Sequence, residues 1–218
     1  MSEIGKTAGV LLSNSQLYHA IRIRLGLQFH DGARECLQCG KPIADVDRHL
    51  MACMAGGKRT TCHNAMVRAL SLVLARLGCV VTNEVLPFAG DQKRMDIVAT
   101  IACETFHIDV TIVSPDITVT SNPAVEKAAE AKNAKYKLLS ASVGATFIPA
   151  AFDMWGNRCV EFGRRFDQIV SLADRIHPYL SYPLLAAHTA ISVGLWASVG
   201  TLMTSRTAEI VTAGDPSA

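Results

Sequence analysis

The chain has 218 residues, half of them hydrophobic and 18% charged, with a formal net charge of +2. Such a composition specifies a globular core and excludes disorder over most of the length, and the length suits one well-buried domain with appendages. A charge this close to zero does not announce a nucleic-acid binder, so any such surface has to be local.

Residues 1–14 carry no clear pattern and are expected to fray. From Ser15, Leu17, Ile21 and Leu25 recur at helical spacing, with Arg22 and Arg24 on the other side and a stop near Gly26. Residues 31–57 are too irregular to be held by apolar contacts. Within them Cys36, Cys39, His49 and Cys53 form a C-x2-C-x9-H-x3-C pattern. A two-residue knuckle then presents two thiolates, and a short helical turn presents an imidazole and a thiolate, a set that completes a tetrahedron around Zn2+. Gly40 suits the tight knuckle turn. A closed four-ligand site is structural and leaves no position for substrate. His30, Cys62 and His63 lie near enough in sequence to substitute for one ligand. Lys41, Arg48, Lys58 and Arg59 flank the cluster, either as phosphate contacts or as a solvated rim. The odd count of seven cysteines, the tight ligand cluster and an opening that does not read as a secretory leader favour an intracellular, reducing compartment.

A second helix is predicted over residues 63–77, with Thr60 or Thr61 near its N-cap, Val67, Leu70, Leu74 and Leu77 on the core stripe, and Gly78 ending it. Strands follow over 79–86, 95–102 and 105–113. Asn122 before Pro123 is a good helix start, and residues 124–140 are rich in helix formers. Residues 145–151 read as a short buried strand, and Phe162, Phe166, Ile169, Ala173 and Ile176 mark an amphipathic helix ending before Pro178. The order is helix, three strands, helix, strand, helix. The last apolar stretch, 184–203, is about as long as a membrane span, with His188 its only ionisable residue. Its bulky residues Leu184, Ile191, Leu195, Val199 and Leu202 fall on one stripe and no basic cluster flanks it, so a helix packed on the domain or on a partner is favoured over a membrane anchor.

The two central strands each carry an aspartate. Alternation places Asp96 with Val98 and Thr100 on one face, and Asp109 with His107 and Thr111 on one face, while Phe106, Ile108, Val110 and Ile112 fill the opposite one. With a turn at Cys103 and Glu104, Asp96 lies opposite Thr111 and Val98 opposite Asp109, so the carboxylates are diagonal neighbours within about 8 Å. A pair like this can hold Mg2+ or Mn2+, which prefer oxygen ligands and keep waters for substrate chemistry. On the following helix Lys132, Lys135 and Tyr136 can project to one side, where an ammonium can orient a water or neutralise a transition state. Glu84 is a candidate third carboxylate or a surface residue. His107 reads as a satisfied or exposed side chain before a catalytic base, and Arg94 as a partner for Asp96 or for phosphate.

Taken together, Cys36-x2-Cys39-x9-His49-x3-Cys53, Cys62-His63-Asn64, Gly78, Glu84, Arg94-Met95-Asp96, Asp109-Val110-Thr111 and Lys132-x2-Lys135-Tyr136 resemble the restriction-enzyme-like endonuclease region of non-long-terminal-repeat retrotransposons, within the PD-(D/E)XK superfamily. Phe147-Ile148-Pro149, the segment from Phe152 to Gly156 and the helix with Trp196 resemble that family's tail. The resemblance implies an α/β fold whose PD-(D/E)XK nuclease-like core is helix, three strands, helix and strand, with an N-terminal zinc knuckle and C-terminal helices. Residues 1–14 are then a frayed terminus, 15–60 a helix plus zinc-binding module, 61–177 the endonuclease-like core and 178–218 an apolar helix and tail. It also implies that Asp96, Asp109 and the Val110 carbonyl hold the catalytic metal, with Lys132 the first and Lys135 the second choice for the catalytic lysine. The implied activity is strand nicking of DNA in the nucleus, with RNA or a reverse transcriptase domain as further partners. Met95 stands where the family has proline, and Thr111 where many members have lysine. A catalytically inactive nucleic-acid-binding or interaction module of the same fold is the alternative.

Overall fold

The computed structural model of the protein describes residues 12–25, 27, 35–36, 38–42, 49, 53, 55–88, 93–113, 123–154, 156–179 and 184–213. Helix α1 (Asn14–Arg24) begins at a reciprocal cap. The Gln16 N–H donates to Ser13 Oγ at 3.2 Å, and the Ser13 N–H donates to Gln16 Oε1 at 2.7 Å. Its apolar stripe is not its packed side. Leu17, Ile21 and Leu25 are exposed, whereas His19 and Ala20 are buried, because the helix docks through its polar and small residues onto the C-terminal helix.

A 3-10 turn (Ala55–Gly57) leads into α2 (Lys58–Arg76), which starts five residues earlier than the apolar pattern indicates. Gly57 occupies the N-cap with φ 67 and no side-chain cap, so neither Thr60 nor Thr61 has that role. The predicted stripe of Val67, Leu70, Leu74 and Leu77 is buried. Gly78, at φ 83, closes the helix: its N–H donates to the Ala75 carbonyl, and the Cys79 N–H donates to the Leu74 carbonyl. This pair of bonds is a Schellman ending, which needs a left-handed residue at that position.

The sheet contains β1 (Val80–Val85), β2 (Met95–Ile101), β3 (Glu104–Val113) and β4 (Thr146–Asp153), in spatial order β1-β2-β3-β4. The first three strands are antiparallel neighbours, and β4 joins β3 in parallel after a crossover through α3 (Pro123–Ser142). A parallel neighbour requires such a long crossover. Helix α4 (Val160–Ile176) and α5 (Leu184–Ala213) complete a mixed α/β fold. One sheet face, with Ile97, Ile108 and Ile148, shares the main core with α2, α4 and α5; the other, with Val98 and Phe147, meets Tyr136 and Leu139 of α3.

The β2–β3 register differs from expectation. Ile97 pairs with Ile108 and Ile101 with Glu104, so the turn is Ala102–Cys103, one residue earlier than predicted. Ala102 takes φ 51, the left-handed geometry that tight two-residue hairpins demand, without the glycine or asparagine that signals it. Asp96 consequently lies level with Asp109, not with Thr111.

Helix α5 is long and apolar enough to cross a membrane by length and composition, yet 56% of its Ala186–Met203 window is buried inside the protein. Ile191, Leu195, Val199 and Leu202 sit in the main core, and His188 Nε2 meets Asp167 Oδ1 of α4 at 2.6 Å. Close approach depends on glycine: a Cβ at Gly194 would lie 2.5 Å from the Ala69 Cβ of α2, and one at Gly200 would lie 2.8 Å from the Gln16 Cα of α1. Gly194→Val is therefore expected to destabilise the fold by about 1–3 kcal/mol through overpacking, read as a lower midpoint in denaturant titration. An unchanged midpoint would show that α5 does not pack here in solution.

Candidate functional site

Two constellations stand out. The first is the quartet Cys36, Cys39, His49 and Cys53, whose ligand atoms all lie within 4.8 Å of one another. The backbone builds the knuckle. Glu35 and Pro42 form a β-bridge, the Gly40 N–H donates to the Cys36 carbonyl at 2.7 Å, and the Cys36 N–H donates to the Lys41 carbonyl at 2.9 Å. Gly40 turns the chain at φ 65. The Cys53 N–H donates to the His49 carbonyl at 2.7 Å, one helical turn that brings the last two ligands to the same side. Cys36 Sγ and Cys53 Sγ are 3.9 Å apart, and Cys39 Sγ and His49 Nε2 are 3.4 Å apart. Tetrahedral zinc, with Zn–S about 2.3 Å and Zn–N about 2.0–2.1 Å, separates sulfur pairs by about 3.8 Å and sulfur from nitrogen by about 3.6 Å. The donor set fits a structural zinc site of Cys3His type.

Neither Cys62 nor His63 belongs to it. Successive helical residues point about 100° apart, so Cys62 enters the core and His63 turns to the sheet. Lys41 is exposed; His30, Arg48 and the side chains of Lys58 and Arg59 lie outside the described residues. All seven cysteines are free of disulfides, as a reducing compartment leaves them.

The second constellation centres on the aspartates. Being level on adjacent strands, Asp96 and Asp109 share a face. Asp109 is buried, 4% exposed, and Lys132 Nζ of α3 approaches its Oδ2 to 2.6 Å. Asp96 Oδ2 accepts the Val110 N–H at 2.6 Å, and Asp96 Oδ1 lies 3.4 Å from His63 Nε2. Burial holds the Asp109 carboxyl above the usual range; Lys132 pulls it back, and the neighbouring Asp96 charge pushes it further up. The neighbouring Asp96 carboxylate raises the His63 imidazole against the opposing effect of burial.

The remaining candidates fall elsewhere. Lys135 Nζ lies 4.6 Å from the centroid of the Tyr136 ring, a cation–π contact. His107 is buried, shares a 3.0 Å hydrogen bond between Nδ1 and Ser140 Oγ, and has its basicity lowered by burial. It is a satisfied interior histidine. Arg94 is 3.7 Å from Glu84 rather than from Asp96, and both are well exposed. Glu84 adopts φ 53, interrupting β1 between the pairs Asn83–Ile97 and Val85–Met95. Thr111 keeps its buried hydroxyl without a hydrogen-bond partner among the described residues.

No protein-family model and no curated protein matches the chain. What its site can do therefore rests on residues and geometry. The residue that sequence reasoning misplaced is His63, whose closeness in sequence to the Cys3His cluster suggested a substitute zinc ligand. The helix starts at Lys58, which places His63 in the second turn, and no side-chain cap in the sequence marks that start.

Proposed function

We propose that the protein is a Mg2+- or Mn2+-dependent DNA endonuclease of the PD-(D/E)XK type, braced by a structural zinc knuckle. The observation that carries this reading is the meeting of Asp96 and Asp109 on one sheet face with the Lys132 ammonium against the buried carboxylate. The element order of helix, three strands, helix and strand supports it. Lys132 arrives from α3 while Thr111 occupies the usual lysine position on the strand, which supports the retrotransposon-type variant of that core. A strand-nicking role in the nucleus, beside RNA or a reverse transcriptase domain, follows from the same resemblance. Nothing in this reading calls for a membrane.

The donor chemistry suits a hard divalent cation: one desolvated and one half-exposed carboxylate, with the Val110 carbonyl as a third oxygen donor in the proposal. Bound there, such a cation would activate a water and stabilise charge on the phosphorane and leaving oxygen. Lys132 then has two tasks. It opposes the effect of burial on the Asp109 carboxyl, and it supplies a positive charge beside the phosphoryl oxygens as negative charge grows on them. The Val110 N–H fixes one Asp96 oxygen, so that carboxylate is oriented before substrate arrives.

A second reading, a silent nucleic-acid-binding module, has one observation in its favour. Lys132 and His63 already lie against the two acids, so each carboxylate has a nitrogen partner without a cation. The two readings separate on supercoiled plasmid incubated with zinc-loaded protein and Mg2+. Conversion to the open-circular form, suppressed when Mg2+ is omitted, is the expected result. Salt-sensitive DNA binding with no nicking in Mg2+ or Mn2+ would select the silent module.

A further inference from the structure

We propose that His63 is a positioning residue for the Asp96 carboxylate. This deepens the nuclease reading, since it concerns one of that site's acids, but it stands on contacts that exist whether or not the site is catalytic. Asp96 is contacted from two separate elements. Its Oδ2 accepts the Val110 N–H of β3 at 2.6 Å, and its Oδ1 lies 3.4 Å from His63 Nε2 of α2. A carboxylate with one oxygen anchored can still pivot about that bond and about χ2, which is a soft torsion. An imidazole 3.4 Å from the second oxygen narrows that freedom and biases the carboxylate toward one orientation.

The half-exposed setting of both side chains, 31% for His63 and 24% for Asp96, means that solvent competes for each. Placement on a folded helix lowers the entropic cost of the contact, because the backbone of His63 is already fixed. Helix α2 is fixed by the burial of Met66, Leu70 and Leu74 in the main core, so His63 approaches Asp96 on a rigid support. This is the manner in which residues outside the ligand set keep a metal-binding carboxylate in its productive geometry. The role requires only an N–H donor at the Nε2 position.

That requirement makes it testable by substitution. Glutamine carries an N–H donor near the Nε2 position of histidine, whereas leucine keeps bulk and loses the donor. The direct reporter is the Val110 amide resonance in the 15N–1H spectrum of the full-length, zinc-loaded protein, since that N–H is bonded to the same carboxylate. His63→Leu is expected to shift this resonance and to weaken Mn2+ binding, followed by calorimetry, about tenfold. His63→Gln is expected to restore most of both. Glutamine also lacks the ring, so its agreement with wild type excludes a simple ring-current effect. Thermal melts of the two variants establish that both remain folded.

An unmoved Val110 resonance in His63→Leu overturns the proposal, as does a His63→Gln spectrum as altered as that of His63→Leu. If the wild-type protein neither nicks DNA nor binds Mn2+, yet the resonance moves in the leucine variant and returns in the glutamine variant, the nuclease reading fails while the positioning of Asp96 by His63 stands.

Discussion

Asp109→Ala and Asp96→Ala are each expected to reduce plasmid nicking by at least about 10²–10³-fold, a typical loss when a group stabilising transition-state charge is removed. Zinc content should stay unchanged in both, because neither residue touches the Cys36, Cys39, His49 and Cys53 quartet. The two variants differ in their effect on stability. Burial disfavours the Asp109 charge, so its removal relieves a desolvation cost while leaving Lys132 free to reach solvent along its flexible stem. Lys132→Met does the reverse and leaves a buried carboxylate without its cation. It is expected to impair nicking and to lower the melting temperature more than Asp109→Ala does, since an unpaired buried charge is the costlier outcome. Lys135→Met is expected to lose far less activity than Lys132→Met, because the Lys135 ammonium sits over the Tyr136 ring and not beside Asp109. Full nicking by both aspartate variants would remove the proposed site, and equal losses for the two lysines would remove the special role of Lys132.

The shared face of the aspartates was legible in the sequence because strand periodicity is strict. Alternation alone puts Asp96 with Val98 and Asp109 with His107. The register was not legible, since the left-handed turn residue is Ala102 rather than a glycine or asparagine. The resulting error was two residues, an even number, so facing survived and only the spacing changed, from diagonal to level. A one-residue slip would have sent one acid to the opposite side.

At α2 the start was read less well than the face, and at α1 the reverse holds. At α2 the cap is a glycine in left-handed geometry with no side-chain acceptor, so nothing in the sequence marked where the first turn begins, and the contact of His63 with Asp96 went unseen. At α1 the Ser13 and Gln16 cap was present in the sequence, but Leu17, Ile21 and Leu25 suggested a buried stripe where the structure exposes them. An isolated short helix has no periodicity that says which side another helix will cover. The packing of α1 on α5 depends instead on Gly200, which permits backbone contact with Gln16.

Removal of zinc is expected to produce the largest structural change. The quartet lies in a segment with few apolar groups to hold it, and zinc binding to such sites supplies folding free energy directly, about 10–16 kcal/mol in zinc-finger peptides. Thiol reactivity gives a sharp count. In the zinc-loaded native protein Cys103 is the exposed cysteine and should react quickly with a disulfide reagent. Cys62, Cys79 and Cys159 are buried and shielded, and burial pushes the Cys79 thiol to about 11 and raises that of Cys159, which disfavours their reactive thiolates further. Chelation should release Cys36, Cys39 and Cys53 and raise the fast-reacting number from one to four. The effect should also spread beyond the knuckle. Gln38 lies between the first two ligands, and a Cβ at Gly56 would collide with its amide, so the knuckle packs directly on the turn that starts α2. Loosening that turn frays the first turn of α2, next to His63 but outside the core-anchored part of the helix, and nicking is expected to fall in the chelated protein although no zinc ligand meets the acid pair. Re-addition of zinc should restore both the thiol count and the activity. A count that remains at one after chelation, with no zinc released, would mean that the quartet is held by the fold alone.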